Sequence, residues 1–302
     1  MSENIPFAHL HVHTEYSLLD GANRIKPLVA RVKEMGMEYI AITDHGNMFG
    51  IMDFYKTCKA EGVNPVIGCE VYVAPRDRHE QYEVEGTRYY HLILLAENNE
   101  GYKNLVQLVS RANTEGMYYK PRVDKELLRK YSKGLICLSA CIAGEVPAWI
   151  IRGDMYRAEK ALQEYLEIFG SENYFIEIQN HGMAEEKIAM DGIIPLAKKY
   201  NLGLVATNDA HYLKKEDSEF HEVLLCIQTG KTLDDPNRMK FSSDDYYLKS
   251  PEEMAGIFRE YPEAIANTVK IASRCHVEFD FDHRHLPLFP LPEGMTDEMY
   301  LR

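Results

Sequence analysis

The chain has 302 residues, of which 45% are hydrophobic and 27% charged, and a formal net charge of −13; this length gives ample core for one large domain or two small ones. So acidic a balance argues against a broad basic surface for nonspecific nucleic-acid binding, but not against a phosphate-bearing substrate held through bound cations, which reverse the local field. Apolar runs such as 92–96 are too short to span a membrane, no secretory leader is evident, and the cysteines at 58, 69, 137, 141, 226 and 275 include no CxxC pair, so a cytoplasmic protein with reduced thiols is expected.

Residues 7–13 predict a first strand. Side chains alternate along a strand, so His11 and His13 project together while Leu10 and Val12 face the other way. Ile25, Leu28, Val29, Val32 and Met35 keep helical spacing, with Gly36 as a stop. A short buried strand over 39–43 precedes Asp44-His45-Gly46, and a third strand over 66–73 carries Glu70. The polar stretch 76–88 reads as a hairpin or flap before strand 90–95. Helix 101–112, strand 135–139, helix 154–169, strand 173–178, helix 184–200 and strand 203–207 follow. Repeated strand-then-helix units imply a largely parallel sheet. Seven or so units at this length favour a closed (β/α)7, TIM-like barrel over its competitor, a doubly wound open sheet. What tips the balance is that His13, His45, Cys141, Asp209 and His211 lie at or just beyond the C-terminal ends of apolar runs, where barrels gather their active sites.

The candidate ligands are His11, His13, Asp20, His45, Glu70, His91, Cys141, Asp209 and His211. Taken singly, each has a plain reading: His45 as a hydrogen-bonded loop histidine, Cys141 as a small core residue, Asp209-Ala210-His211 as a turn. Glu70 inside an apolar run must be paired, metal-bound or turned to solvent on an edge strand. All nine falling at strand ends by chance would need many coincidences. Rival motifs are absent: there is no GxGxxG, no GxxxxGK[ST] and no GxSxG. His79, His181, His221, His276, His283 and His285 read as surface or structural, and His9 as a core or supporting histidine. Arg76, Arg78 and Arg88 flank the polar insertion and either help hold a nucleic acid or are simply solvated.

The stretches 11–21, 41–46, 67–72 and 208–212 resemble the PHP (polymerase and histidinol phosphatase) domain, in the branch found in the alpha subunits of bacterial DNA polymerase III; 89–92, 98–105 and 139–147 extend the resemblance. It covers essentially the whole chain, and the order of the segments is highly specific. The resemblance implies a distorted seven-unit barrel with a metal cluster at one mouth. It also implies three divalent ions: His11, His13 and Asp209 at the first, His91 and Cys141 at the second with Glu70 bridging the two, and Asp20, His45 and His211 at the third. Imidazole, carboxylate and one thiolate suit zinc, manganese or iron better than magnesium alone. Glu70 and Asp209 are the implied catalytic groups, one fixing the metal spacing and the other orienting or deprotonating the nucleophile. The implied activity is hydrolysis of a phosphodiester at a DNA 3′ end, a 3′–5′ exonuclease assisting proofreading, with the remainder of the polymerase and a proofreading subunit as partners. Many polymerase-branch members have lost ligands, whereas all nine positions here carry competent side chains.

Two other functions stay open at this point. One is a stand-alone phosphatase of small phosphomonoesters. The other is a structural metal-binding module that braces the polymerase and docks a proofreading subunit. The proline-rich stretch 286–294 followed by an unfinished helical pattern to 302 reads as a linker, so a domain over 1–285 and a truncated continuation are expected.

Overall fold

The computed structural model describes residues 5–283 and 289–302. In chain order the elements are α1 (Ile25–Glu34), β1 (Tyr39–Ile42), α2 (Ile51–Glu61), β2 (Asn64–Val73), β3 (Tyr90–Ala96), α3 (Asn99–Glu115), β4 (Met117–Tyr118), β5 (Lys120–Val123), α4 (Lys125–Tyr131) and β6 (Leu135–Leu138). Then come α5 (Glu145–Ile151), α6 (Met155–Phe169), β7 (Tyr174–Ile178), α7 (Ala184–Lys199), β8 (Leu204–Ala206), α8 (Ser218–Thr229), α9 (Pro251–Ile257), α10 (Pro262–Ala272) and α11 (Asp297–Tyr300). The predicted helices and inner strands fall within a few residues of these bounds. Among the described residues no helix is long and apolar enough to cross a membrane.

The sheet runs β4-β5-β2-β3-β6-β7-β8, with β1 paired to β2, and it curls. It is not wholly parallel: β3 is antiparallel to both β2 and β6. The cause lies in the connector 74–89, which contains no helix to carry the chain back to the other end of the sheet. The sheet therefore turns back on itself there, as the hairpin reading of the polar insertion anticipates. Segment 7–13, expected as a strand, makes only isolated bridges at His9 and Val12. Its hydrogen bonds are divided among several partners, and the Val12 N–H goes to the Thr43 hydroxyl (2.9 Å) instead of a ladder. The segment nonetheless joins the two flanks of the sheet. Ala41 N–H donates to the His9 carbonyl (2.9 Å), and His13 N–H to the Ala210 carbonyl (2.9 Å).

Alternation then stacks the concave face in layers. Ala41, Val66, Ile93, Ile136, Phe175 and Val205, one from each of β1, β2, β3, β6, β7 and β8, share one apolar cluster with Leu10. Two or four residues further along the same faces stand Thr43 and His45, Glu70, Glu177, and Thr207 and Asp209. On β3 the step runs backwards, to His91, because that strand is antiparallel. So β3 delivers a ligand from its N-terminal end to the place the parallel strands reach with their C-terminal ends. Beneath the apolar layer, Ile271 and Ala272 of α10 and the following Cys275 close the other end. Residues 289–302 are largely exposed, while the linker expectation over 286–288 and His285 lie outside the described residues.

The insertion 74–89 is pinned by Arg122, whose side chain is fully buried. Its guanidinium donates to the carbonyls of Gly116 (3.2 Å), Arg88 (3.2 Å), Arg78 (3.0 Å) and Glu80 (2.6 Å). Arg78 is buried too, paired with Asp124 (2.9 Å) and Glu115 (2.8 Å), so it serves the fold and offers no nucleic-acid contact. Arg122→Met would strand the carbonyls of Arg78, Glu80 and Arg88, while Gly116 keeps the Arg122 main-chain N–H, at a cost of about 3–5 kcal/mol. The expected result is a lower denaturant midpoint together with faster amide exchange across 76–89; unchanged exchange there would refute the pinning role.

Candidate metal centre

Glu70 lies at the centre of the polar layer with 1% of its surface exposed, so the solvent-facing reading of that residue is overturned. Its Oε1 is 2.9 Å from His91 Nδ1 and 3.4 Å from His11 Nε2; its Oε2 is 2.6 Å from His45 Nδ1 and 3.4 Å from His13 Nε2. Asp209 Oδ1 stands 3.1 Å from His11 Nε2 and 3.0 Å from His13 Nε2. Asp20 Oδ2 is 2.8 Å from His45 Nε2 and 3.8 Å from His211 Nε2. Eight of the nine candidates thus form one contact network. Cys141, half-buried at the rim, has its thiol pushed well up by burial and then by Asp209 and Glu70, which places it in the same field. Within the network three donor triplets lie close enough for one ion each: His11–His13–Glu70, His45–Glu70–His91 and His13–His45–His211. These overlap the sets implied by the resemblance without matching them, since His13 is shared between two and Asp20 enters through His45.

Backbone geometry at the strand ends sharpens the aim. Asp209 and Ala140 adopt left-handed conformations (φ 46° and 63°) just beyond β8 and β6. Such φ values are strained for residues other than glycine, though Asp tolerates them better than Ala, and they recur at functional sites. The loop carrying His13 to Asp20 is held by Asp44, which accepts from Thr14 N–H (2.7 Å), the Thr14 hydroxyl (2.8 Å) and the Ser17 hydroxyl (2.7 Å). Asn23 donates to the His13 and Ala210 carbonyls (2.9 and 3.1 Å), tying the two histidine-bearing segments together.

Three histidines are oriented the same way. The Nδ1 of His11 meets Glu177 (2.7 Å), that of His13 meets the Ser17 hydroxyl (3.0 Å), and that of His211 meets the Asp209 carbonyl (2.8 Å). Each therefore turns Nε2 inward, the usual arrangement of a metal-ligating imidazole with its second nitrogen engaged elsewhere. Glu177 was missed in the sequence, although it stands in an apolar strand just as Glu70 does. His221, read there as surface or structural, is 2% exposed, with Nε2 3.9 Å from Asp20 Oδ1. His181 is structural, stacked on Tyr246 and paired with Glu186 (2.5 Å), and His9 is a core histidine whose Nε2 meets the Lys249 carbonyl (2.8 Å).

The electrostatics of the cluster are set by burial and by the facing carboxylates and imidazoles. Burial opposes the charged form throughout the cluster. Even so, His91, His45 and His11 hold the Glu70 carboxyl well below the usual range, and His11 and His211 do the same for Asp209. For His45, burial is outweighed by Glu70 and Asp20, which raise the imidazole to about 10. For His13, burial and then the neighbouring His45 and His211 push it down to about 3. His11 Nε2, His13 Nε2, His45 Nδ1, Glu70 Oε2 and Asp209 Oδ1 are buried and face one another at 2.6–3.4 Å, yet none of these contacts has hydrogen-bond geometry, and Asp20 Oδ1 makes no hydrogen bond either. Six such atoms converging on one space would be costly if left unmet. Divalent cations would satisfy them together, and mixed nitrogen, oxygen and rim sulfur donors suit zinc, manganese or iron.

Metal should therefore be a folding ligand. Stripping with chelator is expected to lower Tm by several degrees, restored by manganese or zinc, and the restored increment should shrink as pH falls toward about 5 because protons compete for the imidazoles. In Glu70→Gln most of the increment should vanish. An equal metal-induced rise in that variant would count against the cluster.

Residues 9–181, more than half of the chain, match the PHP domain family. The DNA polymerase III alpha subunit of Treponema pallidum is 51% identical over 98% of this chain and 26% of its own length. That of Thermus aquaticus is 48% identical over 100% of this chain and 26% of its own. The chain spans about a quarter of the curated relatives it matches. Among solved structures, an amidohydrolase from Chromobacterium violaceum aligns at 13% identity and a TM-score of 0.45, covering 68% of this chain and 87% of its own. A two-domain protein of Bacteroides vulgatus containing a predicted PHP-like metal-dependent phosphoesterase aligns at 13% identity and a TM-score of 0.41, covering 93% and 72%. Similarity of this degree is too low to bear on function.

Proposed function

The chain belongs to the PHP domain family, in the form carried by bacterial DNA polymerase III alpha subunits, and from that premise we propose that it is a metal-dependent phosphodiesterase acting as a 3′–5′ exonuclease on a DNA 3′ end beside the rest of the polymerase. The observation that carries this reading is the convergence on one space of buried donor atoms that make no well-formed hydrogen bond. A structural zinc site needs only four closed ligands, whereas this site offers nine candidates around shared carboxylates and a rim open at Asp20, His45 and His91. We take the fold as a distorted (β/α)7 barrel closed through segment 7–13, residues 1–285 as the domain, and 286–302 as a linker into the polymerase body.

His11, His13, Glu70 and Asp209 would hold one ion, His45, His91 and Cys141 another with Glu70 shared, and Asp20 and His211 the third, with His45 or His13. When bound, divalent cations supply Lewis-acid polarisation and charge neutralisation at a phosphate. The chain's own contribution is positioning. Glu70 fixes the separation of the histidines that touch it. Asp209, held at the mouth by its left-handed backbone, would orient or deprotonate the attacking water through a carboxylate oxygen. The Nδ1 contacts of His11, His13 and His211 keep their Nε2 atoms inward through the reaction.

The test is release of mononucleotides from a 5′-labelled single strand by metal-loaded protein, with Asp209→Asn and His13→Ala each expected to lose at least about a hundredfold while remaining folded. Variants that digest DNA like wild type, or a wild type that digests none, would leave the bracing and docking role as the better account. Activity confined to small phosphomonoesters would point to a phosphatase.

A further inference from the structure

Beside the cluster the surface changes character. Trp149, the single tryptophan of the chain, stands on α5 with the Arg152 and Arg157 guanidinium carbons 4.9 and 4.6 Å from its ring centroid. A recess of about 550 Å³ lies against the cluster: Tyr89 and Tyr90, which precede His91, line it together with Ile142 and Ala143, which follow Cys141. Arg88 and Arg152 supply its positive charge. A second recess, about 410 Å³, shares Tyr90 with the first and continues past Trp149 to Tyr156 and Arg157; its carboxylates Glu85, Glu145 and Glu164 are each met by Arg157 or Lys125, which among the described residues leaves Arg76 and Lys160 as its free positive charge. Arg88 lies over the Tyr119 ring (4.1 Å), and Tyr119 and Tyr156 are 64% and 79% exposed.

Guanidinium groups and aromatic rings therefore alternate along a track leading away from His91 and Cys141, with Tyr119 and Tyr156 exposed, Tyr89 and Trp149 half-buried and Tyr90 buried. Arg88 is paired with Glu83 and Arg157 with Glu85, but these pairs are exposed and weak enough to reopen for a phosphate. Arg152 has no carboxylate within 4 Å among the described residues; its guanidinium donates to the Thr87 hydroxyl (2.6 Å). In a chain of net charge −13, a guanidinium without a carboxylate partner over the half-buried Trp149 ring is a local exception to the repulsion that the rest of the surface exerts on nucleic acid. The pattern is that of single-strand binding, with arginines on phosphates and rings under splayed bases. A duplex keeps its bases stacked inside, where Trp149 cannot reach them.

We propose that the groove running from the His91–Cys141 edge of the cluster across Arg88, Arg152, Trp149 and Arg157 holds the single strand leading to the scissile phosphodiester. This rests on the phosphodiesterase reading for what happens at the end of the strand, and the experiment separates the two. Titrating the chain with a single-stranded oligothymidylate should quench Trp149 emission and saturate. By anisotropy of a labelled strand, Arg152→Gln and Arg157→Gln should each weaken binding about three- to tenfold and lower the slope of log K against log salt by about 0.7. Trp149→Leu should weaken binding about tenfold and Trp149→Phe should largely restore it, because stacking needs only a ring. Hydrolysis of bis(p-nitrophenyl) phosphate, too small to reach the groove, should be unchanged in all four. No quenching, wild-type affinity and slope in the arginine variants, or equally tight duplex binding would overturn the proposal. Strand binding that obeys these expectations in a chain hydrolysing neither DNA nor the small ester keeps the groove and removes the phosphodiesterase reading. Hydrolysis of the ester with no effect of the groove variants on strand binding does the reverse.

Discussion

The rest of the structure depends on a single buried carboxylate. Glu70 touches His11, His13, His45 and His91 from a strand that is otherwise apolar and covered from Pro65 to Val73. A charge in such a place is tolerable only when it is paired from several directions. Four imidazoles, from segment 7–13, from the loop after β1 and from β3, must therefore be brought to it at once. Meeting that demand requires the flanks of the sheet to approach one another, which the bonds of Val12, His13 and Ala41 accomplish.

The same demand explains the antiparallel strand. With every strand parallel, His91 would have to follow an apolar run, as His45 and Asp209 do. It comes first on β3 instead, and only reversal of that strand carries it to the mouth. The cost of reversal is the long insertion 74–89, which cannot fold as a crossover helix and is fastened by Arg122 through main-chain carbonyls. That insertion in turn sets Arg88 and Tyr89 beside the cluster, so a device required by one ligand also shapes the ground in front of the site.

Much of this was legible because two simple periods hold. The apolar spacing of α1, α3, α6 and α7 is helical, and the alternation in β2 and β7 exposes a lone carboxylate in each. Glu70 drew notice by that rule, and Glu177 would have done so under its consistent application. Segment 7–13 misleads the same rule. Its residues alternate like those of a strand, yet its bonds are divided between two neighbours and a threonine hydroxyl, so no ladder forms. His221 was invisible for another reason: it lies on α8, far along the chain from Asp20, and helical spacing alone reads it as packing.

By itself the sequence determined the inventory: which side chains can bind a cation, where the inner strands and the longer helices α1, α3, α6 and α7 lie, and through the order of those segments the family to which the chain belongs. These are local properties, set by side-chain chemistry and backbone period. Only the tertiary structure decided how the inventory is shared. That Glu70 is buried among histidines, that His13 stands in two donor groups, that β3 is reversed and that Arg78 is spent on the fold are consequences of distances across the sheet. Those distances follow from curling a sheet around one charge, a condition that no stretch of neighbouring residues can express.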